Sequence, residues 1–273
     1  MSLLEAIVLG IVQGVTEFLP ISSTAHLKIV PALLGWEDPG AAYSAVIQLG
    51  TVAAVLVYFA ADLFKLSRAF GAGLLARAPF GTEESRLAWF VGLGTIPIGL
   101  LGLLFKKRIE GELRSLYVIA GSLIVLAVVL FFIERRASHK RTLSDMTLRD
   151  GLIIGGWQAL ALIPGSSRSG TTITGGLSLG FNRESAARYS FLLSIPATGL
   201  AGIFQLKQLM LAETRPPMLA MVIGTAVSFG VGMAAIAGLL RFLRTRSMMV
   251  FIVYRIALGL TLFALLAAGA LQP

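Results

Sequence analysis

The chain has 273 residues, 56% of them hydrophobic and only 14% charged, with a mean hydropathy of +0.84. A soluble domain carries roughly 25% charged residues, so this composition excludes a soluble globular protein and defines an integral membrane one. The formal charge of +9 belongs to the cytoplasmic loops of such a protein rather than to a nucleic-acid surface, and the absence of Cys excludes thiol, disulfide and Cys-metal chemistry.

The opening residues MSLLEAIVLG lack a basic start and carry Glu5, so no cleaved signal peptide is expected. Residues 3–35 are apolar but interrupted by Glu5, Glu17, Pro20, His26 and Lys28. Each half, about 11–15 residues, is too short to cross a bilayer, and Pro20 with Ser22, Ser23 and Thr24 marks a turn. Uncharged windows follow at 39–61, 87–105 and 115–133. A second broken region, 151–181, is interrupted by Pro164 and Arg168, and further windows run over 189–206, 216–240 and 247–273, the last holding Arg255. The six windows approach or exceed the ~20 residues of a membrane-spanning helix. Gly, Ala and Leu dominate without period-two alternation, which favours helices over a barrel, and glycines such as Gly94 and Gly224 let helices approach closely. The predicted fold is an all-α integral membrane protein: six transmembrane helices plus two re-entrant helix hairpins whose turns lie near mid-membrane.

The two broken regions resemble each other. GIVQGVTEFLPISSTAH (10–26) and GGWQALALIPGSSRSG (155–170) both read Gly, two residues, Gln, an apolar stretch and Pro-x-Ser-Ser, and Tyr-Ser pairs recur downstream at Tyr43 and Tyr189. This predicts a single membrane domain made of two repeats, about 1–135 and about 145–273. With one hairpin and three spanning helices each, the halves have opposite orientations, and a site forms where the broken helices meet. The loops opposite the N-terminus, including those with Lys65, Arg68 and Arg77, hold fourteen Lys and Arg. The N-terminal side holds seven: Lys28, Lys106, Lys107, Arg108, Arg114, Lys207 and Arg215. The richer side is cytoplasmic by the positive-inside rule, with both termini outside.

In the second turn Arg168 is surrounded by Ser166, Ser167, Ser169, Thr171 and Thr172, with Gly165 and Gly170 allowing unusual backbone angles and close approach of a ligand. An ionisable group at that depth has a partner or a function. Hydroxyls, a guanidinium and a helix N-terminus together suit phosphate oxygens; the plainer alternative is a structural turn with Arg168 paired to a carboxylate such as Glu17. In the first turn Gln13 and Glu17 share a helix face, followed by Ser22, Ser23, Thr24 and His26. Glu17, helped by Gln13, could hold a divalent cation (Mg²⁺ or Ca²⁺), or could be a buried ion-pair partner. Ser23 could be a nucleophile with His26 as base, or His26 could attack phosphorus itself. Gln48 and Gln158 read as interhelical hydrogen bonders, and Arg255 as either a snorkelling or paired structural cation or a second anion contact.

QGVTEFLPISSTAH and PGSSRSGTT together resemble the undecaprenyl pyrophosphate phosphatases of bacteria, the bacitracin-resistance family, whose signatures are (E/Q)xxxE and PGxSRSxxT; the resemblance covers essentially the whole chain. It implies hydrolysis of undecaprenyl pyrophosphate to undecaprenyl phosphate at the outer face of the bacterial cytoplasmic (inner) membrane, recycling the lipid carrier of peptidoglycan synthesis; bacitracin acts on that substrate. Carried over, Gln13 and Glu17 fill the first signature, Ser23 and His26 the segment after it, and Ser167, Arg168 and Thr172 the second. With Gln13 in place of Glu, one carboxylate remains for a metal. The expected site therefore has Glu17, Ser23, His26 and Arg168 as catalytic groups and Ser166, Ser167, Arg168, Ser169 and Thr172 on the pyrophosphate. The rival expectation is a polyprenyl-phosphate transporter using the same anion site. The sequence leaves open whether the chain pairs as a homodimer.

Overall fold

A computed structural model describes residues 1–105, 113, 115–211 and 217–271, the side chains of Ala41 and 205–211 excepted. Lys106, Lys107, Arg108, Arg114 and Arg215, five of the seven charges assigned to the N-terminal side, lie outside the described residues, as does the side chain of Lys207.

Among the described residues the regular structure is helical, apart from one isolated bridge between Arg141 and Phe181. The first half comprises α1 (Leu3–Phe18), α2 (Ser23–Leu34), α3 (Gly40–Tyr58), α4 (Ala60–Leu75), α5 (Glu83–Leu104) and α6 (Leu116–Arg136). After a short 3₁₀ turn at Leu143–Asp145 come α7 (Leu148–Ala159), a second 3₁₀ turn at Leu160–Leu162, α8 (Arg168–Ser178), α9 (Arg183–Leu211), α10 (Met218–Leu243) and α11 (Met249–Ala267). By length and composition α5, α6, α10 and α11 can each cross a membrane, and α3 with α4 adds a fifth span if that bent pair is counted as one. Residues 60–75, which the sequence leaves in a polar connection, form α4, bent 73° from α3. The bend lets α4 bury Leu66 while Lys65 and Arg68 stay exposed.

Structural roles recur at a constant spacing of 145 positions. Ser2 and Glu5 form a capping box at the start of α1, and Thr147 and Asp150 form one at the start of α7. A Cβ on Gly10 would lie 2.7 Å from the Gly224 carbonyl oxygen, so α1 packs backbone to backbone on α10. A Cβ on Gly155 would run into the Gly94 carbonyl in the same way, so α7 lies on α5. Gln13 and Gln158 follow, and Ser22 and Ser167 are the N-caps of α2 and α8. Both caps have left-handed backbone, φ 75° and 68°, a conformation that costs of order 1–3 kcal/mol in a non-glycine residue and gathers at functional sites. Each serine oxygen offsets part of that cost by accepting from the backbone N–H three residues on, Ala25 at 3.4 Å and Gly170 at 3.1 Å.

This corrects the register of the Pro-x-Ser-Ser likeness. The cap is the first serine of PISS but the second of PGSS, because Pro20 lies two residues before its cap and Pro164 three. Ser23 and Arg168 are therefore counterparts, each the first residue of its helix.

Candidate active site

The two turns meet directly. Ser169 Oγ, from α8, donates to the Leu19 carbonyl of the first turn at 3.0 Å. Beneath them lies Arg255 of α11, only 1% exposed. Its guanidinium donates to carbonyls of both turns, Pro20 at 3.4 Å, Gly165 at 3.5 Å and Ser166 at 3.0 Å, and to Ser122 of α6 at 3.5 Å. Among the described residues no carboxylate pairs with it. Of the two roles the sequence allowed, Arg255 performs neither in full: its partners are backbone carbonyls rather than a carboxylate, and it fixes both turns from below.

Both glycines of the second signature are spatial requirements. Gly165 has φ 90°, and a Cβ there would collide with Ser122 and the Ile119 carbonyl of α6. A Cβ on Gly170 would lie 2.7 Å from Arg255 Nη1. The close approach at Gly170 is thus to Arg255.

A cavity of about 180 Å³ opens between the turns, with Glu17 at its centre of charge. Arg168 Nη2 donates to Glu17 Oε1 at 3.0 Å, and Ser23 Oγ donates to Oε2 at 2.8 Å. The two counterpart residues thus grip opposite oxygens of one carboxylate. Gln13 Nε2 adds a bond to Oε2 at 3.1 Å and Gln48 Nε2 one to Oε1 at 3.5 Å. Arg168 Nη1 donates to the Ser190 carbonyl at 3.2 Å, leaving Nε buried and without a partner. Thr16, Ser22, Thr24, Ser167 and Thr198 add hydroxyl side chains to the lining, and Ile98, Ala161, Ile163, Ala197 and Ala201 add apolar ones.

The sequence-predicted residues divide. Glu17, Ser23, Ser167 and Arg168 line the cavity. Thr172 lies behind it, its hydroxyl 2.8 Å from the Arg168 carbonyl and 2.6 Å from Ser190 Oγ. Ser169 is spent on the contact with Leu19, and the Ser166 hydroxyl is buried without a partner. His26 does not join the cluster. Its Nδ1 is 2.8 Å from the Ser22 carbonyl and its Nε2 2.6 Å from the Tyr254 hydroxyl, with the two rings stacked at 5.6 Å. A carbonyl only accepts, so Nδ1 carries the proton and Nε2 accepts from Tyr254. The nearest base to Ser23 is Glu17, not His26. Gln158, expected as an interhelical hydrogen bonder, is fully buried with both amide atoms unpartnered. Its first-half counterpart Gln13 has Glu17 one turn on; one turn beyond Gln158 is Leu162.

Tyr254, Ser190 and Thr198 escaped the sequence analysis. Only Ser190 had a visible signal, the repeated Tyr-Ser pair, which places it against Arg168 and Thr172.

Among the described residues no three His, Asp or Glu side chains converge as a closed metal site. Glu17 is a single carboxylate met by donors. That donor set fits a cation only when phosphate oxygens supply the remaining ligands.

Fold and site together define an all-helical, multi-pass membrane protein with a buried arginine, hydroxyl and carboxylate pocket made from two broken-helix turns. Its affiliation agrees. The chain belongs to the family described as bacitracin resistance protein BacA, whose model matches residues 6–261. It is similar to proteins named undecaprenyl-diphosphatase: 70% identical to that of Myxococcus xanthus, covering all of this chain and 92% of the relative. It is 53% identical to that of Chloroherpeton thalassium, covering 100% and 99% of the two chains, and 52% identical to that of Prosthecochloris aestuarii over the whole of both.

Proposed function

We propose that the chain is an undecaprenyl-diphosphatase, hydrolysing undecaprenyl pyrophosphate to undecaprenyl phosphate and inorganic phosphate and so recycling the lipid carrier of cell-wall synthesis. The reading rests on full-length relatives bearing that name and on one local observation: Ser23, Glu17 and Arg168 meet within 3.0 Å in a cavity lined by both polar and apolar side chains.

In the proposed reaction the terminal phosphate enters this cavity. Arg168 turns from Glu17 toward the phosphoryl oxygens, and the free N–H groups at the start of α8 face the same charge. Ser23 Oγ attacks the terminal phosphorus as its proton passes to Glu17 Oε2. The phosphorus bond to the bridging oxygen breaks and undecaprenyl phosphate leaves. Water then cleaves the seryl phosphate, releasing inorganic phosphate and returning the proton to Ser23. His26 serves as a positioning residue, holding the strained Ser22 cap through its carbonyl. Ser166, Ser169 and Thr172 shape the turn, and Ser167 contacts the pyrophosphate. A divalent cation, Mg²⁺ or Ca²⁺, would be held by Glu17 and the substrate's own oxygens, with the Gln13 amide oxygen helping once that amide turns over. Bound there, it would neutralise charge on the pyrophosphate.

The finer architecture belongs to the same proposal: six transmembrane helices and two re-entrant hairpins in inverted repeats, in the bacterial inner membrane, with the cavity open to the outer face. The 145-residue recurrence of caps and close glycines supports the repeat. The excess of Lys and Arg in the loops opposite the N-terminus supports the orientation. The deciding assay is phosphate release from undecaprenyl pyrophosphate by protein purified in detergent. Turnover is expected in the wild type and loss of at least about a hundredfold in Arg168→Ala. Movement of lipid phosphate across vesicles with no hydrolysis would replace this reading with the transporter.

A further inference from the structure

The proposed reaction has two steps, and the water of the second has to be aimed. Attacking and leaving oxygens stand roughly in line through phosphorus. When Ser23 Oγ becomes the leaving oxygen, the water therefore attacks from the far side, where undecaprenyl phosphate has just departed. Glu17 Oε2 is committed to Ser23 at 2.8 Å and holds the proton that Oγ takes back. Several lining hydroxyls are committed to the backbone. Thr16 donates to the Val12 carbonyl at 2.6 Å and Thr198 to the Ser194 carbonyl at 2.7 Å, while Ser22 and Ser167 cap α2 and α8. Thr24 belongs to the same helix end as the nucleophile. Gln48 of α3 differs from all of these. It lines the cavity, and its Nε2 donates at 3.5 Å to Glu17 Oε1, the oxygen that Ser23 does not bind. No described residue bonds its amide oxygen. Arg168 Nη2 shares Glu17 Oε1 at 3.0 Å; once Arg168 turns to the phosphoryl oxygens, Gln48 is the described donor that stays on that oxygen.

We infer that Gln48 is the positioning residue for the hydrolytic water: its Nε2 stays on Glu17 Oε1 while its amide oxygen accepts from the water and aims it at phosphorus, opposite Ser23 Oγ. The inference rests on the proposed phosphatase reading and its seryl phosphate. In the step that Gln48 assists, the water oxygen bonds to phosphorus as the bond from phosphorus to Ser23 Oγ breaks. Glu17 Oε2 returns its proton to Oγ; one water proton stays on the departing phosphate and the other passes to solvent. An amide oxygen accepts a hydrogen bond without taking the proton, so Gln48 orients the water and is no base. The role differs in its consequences from a bridge between α1 and α3. A Gln48 that only held Glu17 in place would serve both steps, because Glu17 takes the Ser23 proton in the first; a Gln48 that aims the water serves the second.

Gln48→Met keeps the length of the side chain and removes both hydrogen-bonding atoms. Undecaprenyl pyrophosphate radiolabelled in its terminal phosphate is mixed rapidly with purified protein in detergent and quenched in acid, which phosphoserine survives. Gln48→Met is expected to release its first equivalent of undecaprenyl phosphate within about three-fold of the wild-type rate, while release of inorganic phosphate falls about a hundredfold, the order of loss when a reactant is misplaced. Label then accumulates on the peptide containing Ser23. The amplitude of the first turnover counts folded sites, and both rates are taken per site so counted. Gln48→Glu, which keeps an acceptor oxygen at that place, is expected to hold less than about a tenth as much label. Parallel loss of both products with no labelled serine, unchanged phosphate release in Gln48→Met, or equal label in the two variants overturns the role of Gln48. Phosphate release by wild-type protein with no labelled serine in any variant also overturns it and leaves the phosphatase reading standing. Release of neither product by wild-type protein overturns both.

Discussion

Replacing Glu17 by Gln keeps the side chain's size and removes its charge from the point where Ser23, Gln13, Gln48 and Arg168 converge. If Glu17 takes the Ser23 proton, the loss is that of a general base, roughly 10²–10⁴ in rate, or about 3–5 kcal/mol at ~1.4 kcal/mol per tenfold. A second cost is structural. The Arg168 side chain is 10% exposed, and removing one member of a buried pair costs up to about 3–5 kcal/mol of folding energy; its bond to the Ser190 carbonyl remains. The two costs are read separately, kcat by phosphate release and folding by thermal unfolding in the same detergent. Because Ser23 and Glu17 act on one proton, Ser23→Ala added to Glu17→Gln is expected to reduce kcat by no more than about three-fold further. His26→Gln, acting only through the Ser22 cap, is expected to lose about ten-fold, well short of Glu17→Gln. Glu17→Gln within ten-fold of wild type, multiplicative losses in the double variant, or His26→Gln as severe as Glu17→Gln would each refute the pairing of Ser23 with Glu17.

Tyr254→Phe removes the 2.6 Å bond to His26 Nε2 but keeps the stacked ring, so a loss of about 1 kcal/mol in stability and a few-fold fall in kcat are expected from melting curves and turnover. Gly165→Ala places a Cβ against Ser122 and Ile119 at φ 90° and should lower stability by at least about 1–3 kcal/mol, measured as a fall in Tm; a Tm unchanged from wild type would contradict the packing. Burial raises the Asp150 carboxyl, but its bonds from Arg141 at 2.6 Å and from Thr147 prevail and hold it below the usual carboxylate range. A depressed folded pKa contributes stability that is present above the unfolded value of roughly 4 and is lost as pH falls through the folded one. The wild-type Tm should therefore fall on acidification below about pH 4, and Asp150→Asn should flatten that dependence. Chelation by EDTA is expected to abolish phosphate release, with Mg²⁺ or Ca²⁺ restoring it, and Glu17→Gln should raise the concentration needed; full activity in EDTA would remove the cation from the mechanism.

The sequence by itself determined the solvent and the site's ingredients. Long uncharged windows can be satisfied only as helices in lipid, so the all-helical membrane architecture was legible from composition and spacing. Glu17 and Arg168 were legible as well, because a charge at such depth demands a partner, and each was among the few candidates for the other. What only the tertiary structure decided was which atoms face each other. Pro20 lies seven residues beyond Gln13 and Pro164 six beyond Gln158, but only the helix caps show that Ser23 rather than Ser22 is the counterpart of Arg168. Only the fold shows Ser23 against Glu17 and His26 against Tyr254, 228 positions away. Likewise the sequence left Arg255 as either a structural cation or an anion contact, and only the fold put the carbonyls of both turns around it. Hydrogen-bond direction and side-chain facing depend on backbone angles set by contacts between distant helices, and residue types at fixed spacing do not encode those contacts.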